Sequence, residues 1–324
     1  MTETLAAYSL VAIYSAIAVY ALAFVVFVLD LSKRASVSQA AASTSAAASA
    51  YNGTTLVAEK APPAVSTAKA AEGATRYQRV AFALTALAWV IHIASIVLRG
   101  IAAERVPWAN MFEFACMGTA LTVGVFLAVQ LWRDVRFLGS FITGLVVLLL
   151  GLASVNFYVP ITPLQPALQS VWLVVHVFVA TLATGFFAVG GGLSIAQLLQ
   201  SRRESGKAAG LAVLRSFPSS DALERMANRL VIVGFALWTF TLIAGAIWAE
   251  RAWGRYWGWD TKEVWTFIVW VLFAGYVHAR ATRGWRGNRS AWLAIVGFAA
   301  LLFNFTVVNL FFAGWHAYSG LTTY

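Results

Sequence analysis

Eight continuously apolar stretches constrain the fold of this 324-residue chain more than any other feature. Each approaches or exceeds the roughly 20 residues that a helix needs to cross the hydrocarbon core of a bilayer. A transmembrane β-barrel would instead alternate apolar and polar residues over about ten positions. The sequence therefore predicts an all-α polytopic membrane protein with about eight transmembrane helices. The stretches cover residues 8–29, 79–98, 112–132, 137–156, 171–199, 230–249, 264–280 and 291–313.

The composition excludes the main soluble classes. Hydrophobic residues make up 60% of the chain and charged residues only 11%, whereas a soluble domain carries about 25% charged residues. A net charge of +10 would suggest nucleic acid in a soluble protein, but in a membrane protein basic residues gather on cytoplasmic loops, so no nucleic-acid partner is predicted. The single cysteine, Cys116, excludes an internal disulfide and a CxxC redox pair, and is most simply a small buried hydrophobe.

The distribution of basic residues predicts the orientation and the domains. Eighteen of the 23 lysines and arginines lie in four connections on one side, 30–79, 133–136, 200–229 and 280–290, and five lie on the other. This bias predicts both termini outside the cell membrane, with the active face external. Residues 1–34 are interpreted as the first transmembrane helix, because they lack the basic start of a signal peptide. Residues 35–75, rich in Ala, Ser and Thr, predict a flexible cytoplasmic linker or a loose helix, and 76–324 a seven-helix membrane domain.

A tryptophan-rich segment, 250–263, lies on the predicted external side. An interfacial aromatic belt explains one or two tryptophans at a helix end, but not a dense cluster interleaved with glycine. If the segment is helical, Trp253 and Trp257 stack on one face beside Gly254 and Gly258. Flat indoles and bare backbone would then suit a flat ligand, although Gly254 and Gly258 also form a GxxxG helix-packing motif.

Two pairs of residues predict helix starts. Asp260 with Glu263, and Asn110 with Glu113, have the spacing of an N-cap followed by a carboxylate three positions later. The first pair would open the seventh span and the second pair the third. A structural role as caps and a role in the site are both open for these residues, and a cap also fixes where the tryptophan-rich segment stands.

Several motifs in order carry a family resemblance. Residues 253–260 fit W-G-x-x-W-x-W-D, the "WWD" motif of haem-handling membrane proteins, and 262–265, 278–280 and 309–319 also match. Residues 107–113 resemble P-L-S-N-x-Y-E. With eight spans, the chain resembles the CcsA (ResC) family of System II cytochrome c synthesis over roughly residues 76–324. It departs from the family pattern at Thr261, where proline is usual, and at Ala109 and Phe112.

The resemblance implies that haem b is both substrate and bound ligand. His176 and His316 match the external haem-iron ligands of the family, and topology places both on the side of the tryptophan-rich segment. Neutral imidazole is a good ligand of haem iron. The resemblance also implies contacts with haem for Trp253, Gly254, Trp257, Gly258, Trp259 and Asp260. For Arg251, Arg255 and Lys262 two roles are open, pairing with haem propionates or pairing with nearby carboxylates.

His278 and His92 complete the four histidines of the chain. His278, towards the cytoplasmic end of the seventh span, matches a ligand of a haem site within the membrane, whose other ligand lies on the partner, CcsB (ResB). An interfacial histidine beside Arg280 is the alternative. For His92, in the outer half of the second span, a packing or hydrogen-bonding role is predicted, although intramembrane histidines usually face a site or the protein interior.

The function implied is haem delivery to the outer face and its thioether attachment to C-x-x-C-H of apocytochromes c, as the synthase (haem lyase) subunit beside a CcsB/ResB-type partner. The chain would contribute positioning and redox control, since no nucleophile or general base is evident. A haem-binding transporter or chaperone without synthase activity is the alternative, although such WWD proteins typically have fewer spans. A quinol-oxidising cytochrome b would need two histidine pairs inside a four-helix bundle, which two outer-face histidines disfavour.

Overall fold

The computed structural model describes residues 2–51, 65–207, 212–282, 284–312 and 314–316. Side chains are described in these ranges except at residues 38, 39, 41–51 and 65–75. The described residues form α-helices, three 3-10 turns and one π-helical turn, and no strand occurs among them. Over its described length the chain is all-helical, as its apolar stretches predict.

Eight helices are long and apolar enough to cross a membrane, which confirms the predicted number of spans. They are α1 Thr2–Tyr51, α2 Val65–Ala103, α3 Met111–Val129, α4 Gly139–Asn156, α5 Val171–Glu204, α6 Ser220–Trp253, α7 Thr261–Thr282 and α8 Asn288–Phe303. The π-helical turn Asn304–Val308 and a short helix, α9 Asn309–Phe311, extend α8 into one span. The 3-10 turns are Arg136–Leu138, Pro166–Leu168 and Ala212–Ser216.

The predicted linker is helical where it is described. Residues 35–51 continue α1 and residues 65–75 begin α2, while 52–64 lie outside the described residues. Alanine is the strongest helix former, so an alanine-rich segment favours the helical form of this connection over the flexible one. The cytoplasmic placement of this segment stays a prediction.

Helix α5 lies at the centre of the bundle. One apolar core is formed by helices α1 through α5 together with the first turns of α6. A second core is formed by helices α5 through α8. Three consecutive glycines of α5 allow its neighbours to pack closely against it. A Cβ atom on Gly190 would lie 3.0 Å from Val231 of α6, and Cβ atoms on Gly191 and Gly192 would crowd phenylalanines of α8 and α4. Small residues at these positions let three helices approach the α5 backbone.

The start of α3 is fixed by the predicted cap and by two arginines. Asn110 Oδ1 accepts a hydrogen bond from the Glu113 backbone N–H at 2.9 Å, which confirms the cap. The Glu113 carboxylate accepts from Arg99 at 2.9 Å and Arg105 at 2.8 Å, and from the Ala109 N–H at 2.8 Å. The buried carboxylate is compensated by two cations, and it ties the end of α2 to the start of α3.

A second buried carboxylate joins helices at the other end of the bundle, where α4, α6 and α8 begin. Glu224 of α6 accepts hydrogen bonds from Arg280 of α7, from the Gly287 backbone N–H at 2.8 Å and from the Ser290 hydroxyl at 3.3 Å. Its oxygens are thus satisfied by α7, by the turn before α8 and by α8 itself. We call this the Glu224 end of the bundle.

Candidate functional site

Two histidines from distant parts of the sequence meet at the end where α3, α5 and α7 begin. His176 lies in the second turn of α5, and His316 lies beyond α9. The His176 ring stacks on the Trp248 indole with a centroid distance of 5.9 Å, and the His316 ring meets the same indole edge-on at 5.4 Å. We call this the histidine end. It brings together two side chains that topology placed on one predicted face.

His176 is held by three consecutive turns of α6. Its Nδ1 lies 2.9 Å from the backbone carbonyl oxygen of Thr241. Because a carbonyl only accepts, Nδ1 carries the proton and Nε2 of the neutral ring is left as the acceptor. A Cβ atom on Gly245 would lie 2.7 Å from the imidazole, so the ring rests directly on the α6 backbone. Trp248 covers the ring, and its indole N–H donates to the Ala167 carbonyl at 2.9 Å.

His316 is held by one carboxylate. Its Nδ1 lies 2.8 Å from Asp260 Oδ2, and the Trp315 backbone N–H donates to Asp260 Oδ1 at 3.1 Å. A carboxylate in this position fixes the ring tautomer and leaves Nε2 free. Neither His176 nor His316 makes a hydrogen bond through Nε2 to a described residue.

Asp260 also caps α7, as the sequence predicts. Its Oδ2 accepts from the Lys262 backbone N–H at 3.3 Å, while Glu263 Oε2 accepts from the Asp260 N–H at 3.1 Å. Burial opposes ionisation of Asp260, but hydrogen bonds from His316 and from backbone N–H groups outweigh it and lower the pKa of the carboxyl below its usual value. One ionised side chain thus fixes both the start of α7 and the His316 ring.

The loop between α6 and α7 is not helical, so the predicted stacking of Trp253 and Trp257 on one helix face is wrong. Helix α6 ends at Trp253, and Gly254 takes a left-handed conformation with φ of 69° as its C-cap. A Cβ atom on Gly258 would collide with the Arg255 guanidinium, which lies 3.3 Å from Glu263 Oε1. The two glycines therefore serve a helix end and an arginine contact, and GxxxG packing is also excluded.

The tryptophans of this loop have different surroundings. The Trp253 ring meets His316 edge-on at 4.8 Å and Trp248 at 4.8 Å. Trp257 is 36% exposed and faces a cavity, whereas Trp259 is 77% exposed and has a positive φ of 58°. A left-handed conformation is costly for a bulky residue and is typical of functional loops. The indoles thus become more exposed with distance from the histidines, and Trp259 is the most exposed of the three.

Two cavities adjoin at the histidines. One has a volume of about 110 Å³ and the other about 80 Å³. His176, Lys262 and His316 line both cavities. The first is otherwise lined by Trp108, Asn110, Met111, Phe114, Leu168, Leu173, Val177, Trp248 and Asn309. The second is otherwise lined by Leu242, Gly245, Ala246, Ala249, Tyr256, Trp257, Glu263 and Thr266.

Lys262 is the cation on the wall that the two cavities share. Its Nζ donates to the Asn304 carbonyl oxygen at 2.7 Å, within the π-helical turn. No carboxylate of the described residues lies within 4.0 Å of this ammonium group. Arg255, by contrast, pairs with Glu263 and lies over the Trp253 and Trp315 rings at 5.5 and 5.2 Å. Of these two basic residues, Lys262 is the one without a carboxylate partner among the described residues.

The other two histidines lie away from this site. His278 is exposed on α7, about 24 Å along the helix from Lys262. No described residue hydrogen-bonds to its ring, and its contribution to a site within the membrane stays a prediction. His92 is fully buried, with Nδ1 3.5 Å from the Tyr20 hydroxyl and its ring edge-on to Tyr20, consistent with the packing role predicted for it.

Comparisons with known proteins show the family of the chain. A family model described as cytochrome C assembly protein matches residues 77–316, a span that contains both cavity-lining histidines. The chain belongs to the cytochrome c assembly protein family. It is 34% identical to "Cytochrome c biogenesis protein CcsA" of Prochlorococcus marinus over 262 residues, covering 72% of this chain and 82% of that protein. It is 30% identical over 275 residues to the protein of that name from Gloeobacter violaceus, covering 69% and 81%.

A solved structure extends the likeness to the fold. "Cytochrome c Heme Lyase CcmF" superimposes with a TM-score of 0.62 over 93% of this chain, at 15% identity. The chain spans about half the length of that protein, 46%. This cytochrome c assembly protein is therefore a multi-pass membrane protein of cytochrome c biogenesis with a fold similar to that of CcmF.

Sequence reasoning missed part of the site in this cytochrome c assembly protein. Trp248, Gly245 and the Thr241 carbonyl surround His176, yet they lie inside an apolar stretch that reads as an ordinary span. Their spacing of four and three residues predicts that they share one face of α6. The sequence does not show that α5 packs on that face.

Proposed function

We propose that the histidine end presents haem b to apocytochromes c, and that this chain is the membrane subunit of a cytochrome c synthase. In this proposal haem is substrate and bound ligand, the histidine end faces the exterior of the plasma membrane, and a CcsB/ResB-type protein completes the complex. The observation that carries the proposal is that His176 and His316 line two adjoining cavities with Nε2 of each ring unengaged.

The residues of the site fit haem. Each imidazole has its Nδ1 engaged by a carbonyl or a carboxylate, the usual arrangement when Nε2 ligates a metal. Trp248 and Trp257 offer flat apolar walls to a porphyrin. The two cavities adjoin at the wall that His176 and His316 share, so a ring held between these histidines would extend into both and widen them.

Lys262 supports the same assignment. A charged group removed from water is costly unless it is paired. The Lys262 ammonium has a carbonyl as its hydrogen-bond partner and lies between the cavities, so a haem propionate would add a direct anionic partner. The site therefore favours a ligand with carboxylates over a neutral tetrapyrrole.

The chemistry that this placement serves is an addition without a net redox change. A cysteine thiol of C-x-x-C-H adds across a haem vinyl group: the sulfur bonds to one vinyl carbon, and the thiol hydrogen ends on the other. The substrate supplies both sulfurs and a histidine that replaces an axial ligand. The chain's part is to hold the porphyrin and to limit its freedom relative to the incoming peptide.

The decisive experiment is a haem spectrum of the purified complex. We expect six-coordinate, low-spin haem, and we expect His176→Ala and His316→Ala each to abolish that signature and attachment to an apocytochrome. The effects should be non-additive, because either loss destroys one shared centre. His92→Phe, which replaces a histidine remote from the cavities, is the matched control. A low-spin spectrum that survives in both single variants would place the haem elsewhere.

Two further outcomes separate the alternatives. Low-spin haem without any attachment activity in the complete complex would favour a transporter or chaperone module over a synthase. Reporter fusions test the orientation: sites at residues 55, 215 and 285 should read cytoplasmic, and sites at 165 and 324 external. An external reading at 215 would overturn the placement of the histidine end.

A further inference from the structure

The two histidines at the site differ in how far each can move. His176 is part of α5, and α6 encloses its ring through a hydrogen bond to Thr241, a stacked contact with Trp248 and backbone contact at Gly245. For this ring to withdraw by several ångströms, either α5 or α6 has to shift. Helices packed in a core do not deform continuously, so that movement is costly.

Among the described residues, nothing encloses His316 in this way. It lies outside any helix, after the short helix α9, and its hydrogen bonds run to one side chain. Asp260 accepts from the His316 ring at 2.8 Å and from the Trp315 backbone at 3.1 Å, and its carboxylate fills the space that a Cβ atom on Gly314 would need. The remaining contacts of the His316 ring are edge-on, with Trp248 and Trp253. Without the bonds to Asp260, the described residues of this segment are held by ring contacts of Trp315 and His316 and by Arg255 over the Trp315 ring.

We propose that His316 is the exchanged ligand, which leaves the iron when the substrate histidine arrives, and that His176 is the permanent one. The inference rests on the proposed function and adds the identity and order of the ligand exchange. One iron–nitrogen bond, to His316, breaks and another, to the histidine of C-x-x-C-H, forms, with no electron transferred. Asp260 acts as the latch. Its hydrogen bond strengthens His316 as a ligand and keeps the haem in place until a competing histidine is present.

The test uses the haem-loaded complex and a peptide whose two cysteines are replaced by serine, so that its histidine can bind iron but cannot be attached. We expect the peptide to restore a low-spin spectrum in His316→Ala and not in His176→Ala. Free imidazole, which is small enough to enter either position, should restore both variants and shows that each retains its haem pocket.

A second variant measures the latch. Asp260→Asn keeps the shape of the side chain and weakens its hold on His316, and losing such a partner changes metal affinity by about 10-fold or more. We therefore expect the peptide to replace the endogenous ligand about 10-fold faster in Asp260→Asn than in the wild type. A matched Asp134→Asn variant makes the same carboxylate-to-amide change in an exposed ion pair with Arg136 before α4, away from the histidine end, and its exchange rate should stay near that of the wild type.

The outcomes are separable. If the wild-type complex lacks low-spin haem, the proposed function fails before the exchange is tested. If it has low-spin haem but the peptide restores His176→Ala, restores both variants or restores neither, then His316 is not the selectively exchanged ligand and the inference is overturned. An unchanged exchange rate in Asp260→Asn would overturn the proposal that Asp260 keeps His316 in place.

Discussion

Glu224 and Asp260 are buried carboxylates at opposite ends of the bundle, and they are used differently. Glu224 accepts from α7, from the turn before α8 and from α8, so its oxygens join secondary-structure elements to one another. Asp260 caps its own helix and directs its other hydrogen bonds to His316 and Trp315. The same chemical group thus closes a helix junction at one end and orients a ring on a cavity wall at the other. Burial of a carboxylate alone does not separate structure from function; its partners do.

The largest effect is expected from Glu224→Ala. It leaves the Arg280 guanidinium and the Gly287 N–H without their acceptor, and breaking a buried pair costs about 3–5 kcal/mol. The amount of folded protein in the membrane, measured by size-exclusion chromatography of a fluorescent fusion, should fall steeply. Glu224→Gln keeps one of the two acceptor oxygens, and the amount of folded protein should fall less. A stable Glu224→Ala protein that has lost only haem would break the comparison between the two ends.

Asp260→Ala should have the opposite profile. The variant loses the orientation of His316, and losing such a partner of a metal ligand costs about 10–100-fold in affinity or activity. The cap of α7 contributes about 1 kcal/mol, so the protein should remain folded. Haem content per folded protein is the measurement. Loss of the protein rather than of its haem would show that Asp260, like Glu224, is mainly a junction.

Gly245→Ala tests the packing of His176. The added methyl would lie 2.7 Å from the imidazole, so the ring has to move and part of the haem should lose its sixth ligand. Gly275→Ala is the matched control, because a Cβ atom there meets nothing within 4 Å and alanine raises helix propensity by about 1 kcal/mol. We expect a mixed-spin spectrum in the first variant and an unchanged spectrum in the second. Identical spectra would argue against His176 as a ligand.

Replacing Trp257 should change haem occupancy more than replacing Trp259. Trp257 lines a cavity, and an aromatic contact contributes about 1 kcal/mol beyond area burial, so Trp257→Ala should lower haem occupancy about 5-fold. Trp259 is 77% exposed, and Trp259→Ala should change haem occupancy less than 2-fold, which corresponds to about 0.4 kcal/mol. Both are read from haem titrations of purified protein. Unchanged occupancy in both variants would favour an interfacial belt.

The smallest effect on the bound haem is expected from His278→Ala. The residue lies towards the Glu224 end, exposed on α7, and reaches neither cavity. If it lies on the entry path, the variant should carry less haem when isolated from cells, with an unchanged spectrum for the haem that is present. Normal loading would assign His278 to the surface and leave haem handling to the histidine end alone.

Sequence reasoning predicted the fold well because a membrane span is a local property. Eight apolar stretches and the two helix caps at Asn110 and Asp260 follow from neighbouring residues. The tryptophan-rich segment shows the limit. Its repeat of Trp-Gly every four residues satisfied helical periodicity, yet Gly254 ended the helix, because a left-handed C-cap depends on backbone conformation rather than on spacing. The stacked indoles of that prediction therefore do not occur.

The residues around His176 mark a second limit. Topology placed His176 and His316 on one face, but nothing local to the α6 stretch shows that Gly245 receives an imidazole or that a π-helical turn offers its carbonyl to Lys262. These contacts arise where α5, α6, α7 and α8 pack, and a single sequence does not encode pairwise helix contacts in a readable form. The sequence thus indicated that His176 and His316 lie on one face, but not which residues enclose them.

The π-helical turn Asn304–Val308 sets the direction in which the following residues of the site point. A helix advances by about 100° per residue, so a wider turn rotates everything that follows relative to a regular α-helix. Asn309, on a cavity wall, and His316, beside Asp260, both lie downstream of it. Removing a single residue from this turn would keep Asn309 and His316 in the sequence but rotate both relative to α8 and Asp260. The number of residues in the turn therefore matters to the site as well as the identity of the residues that follow it.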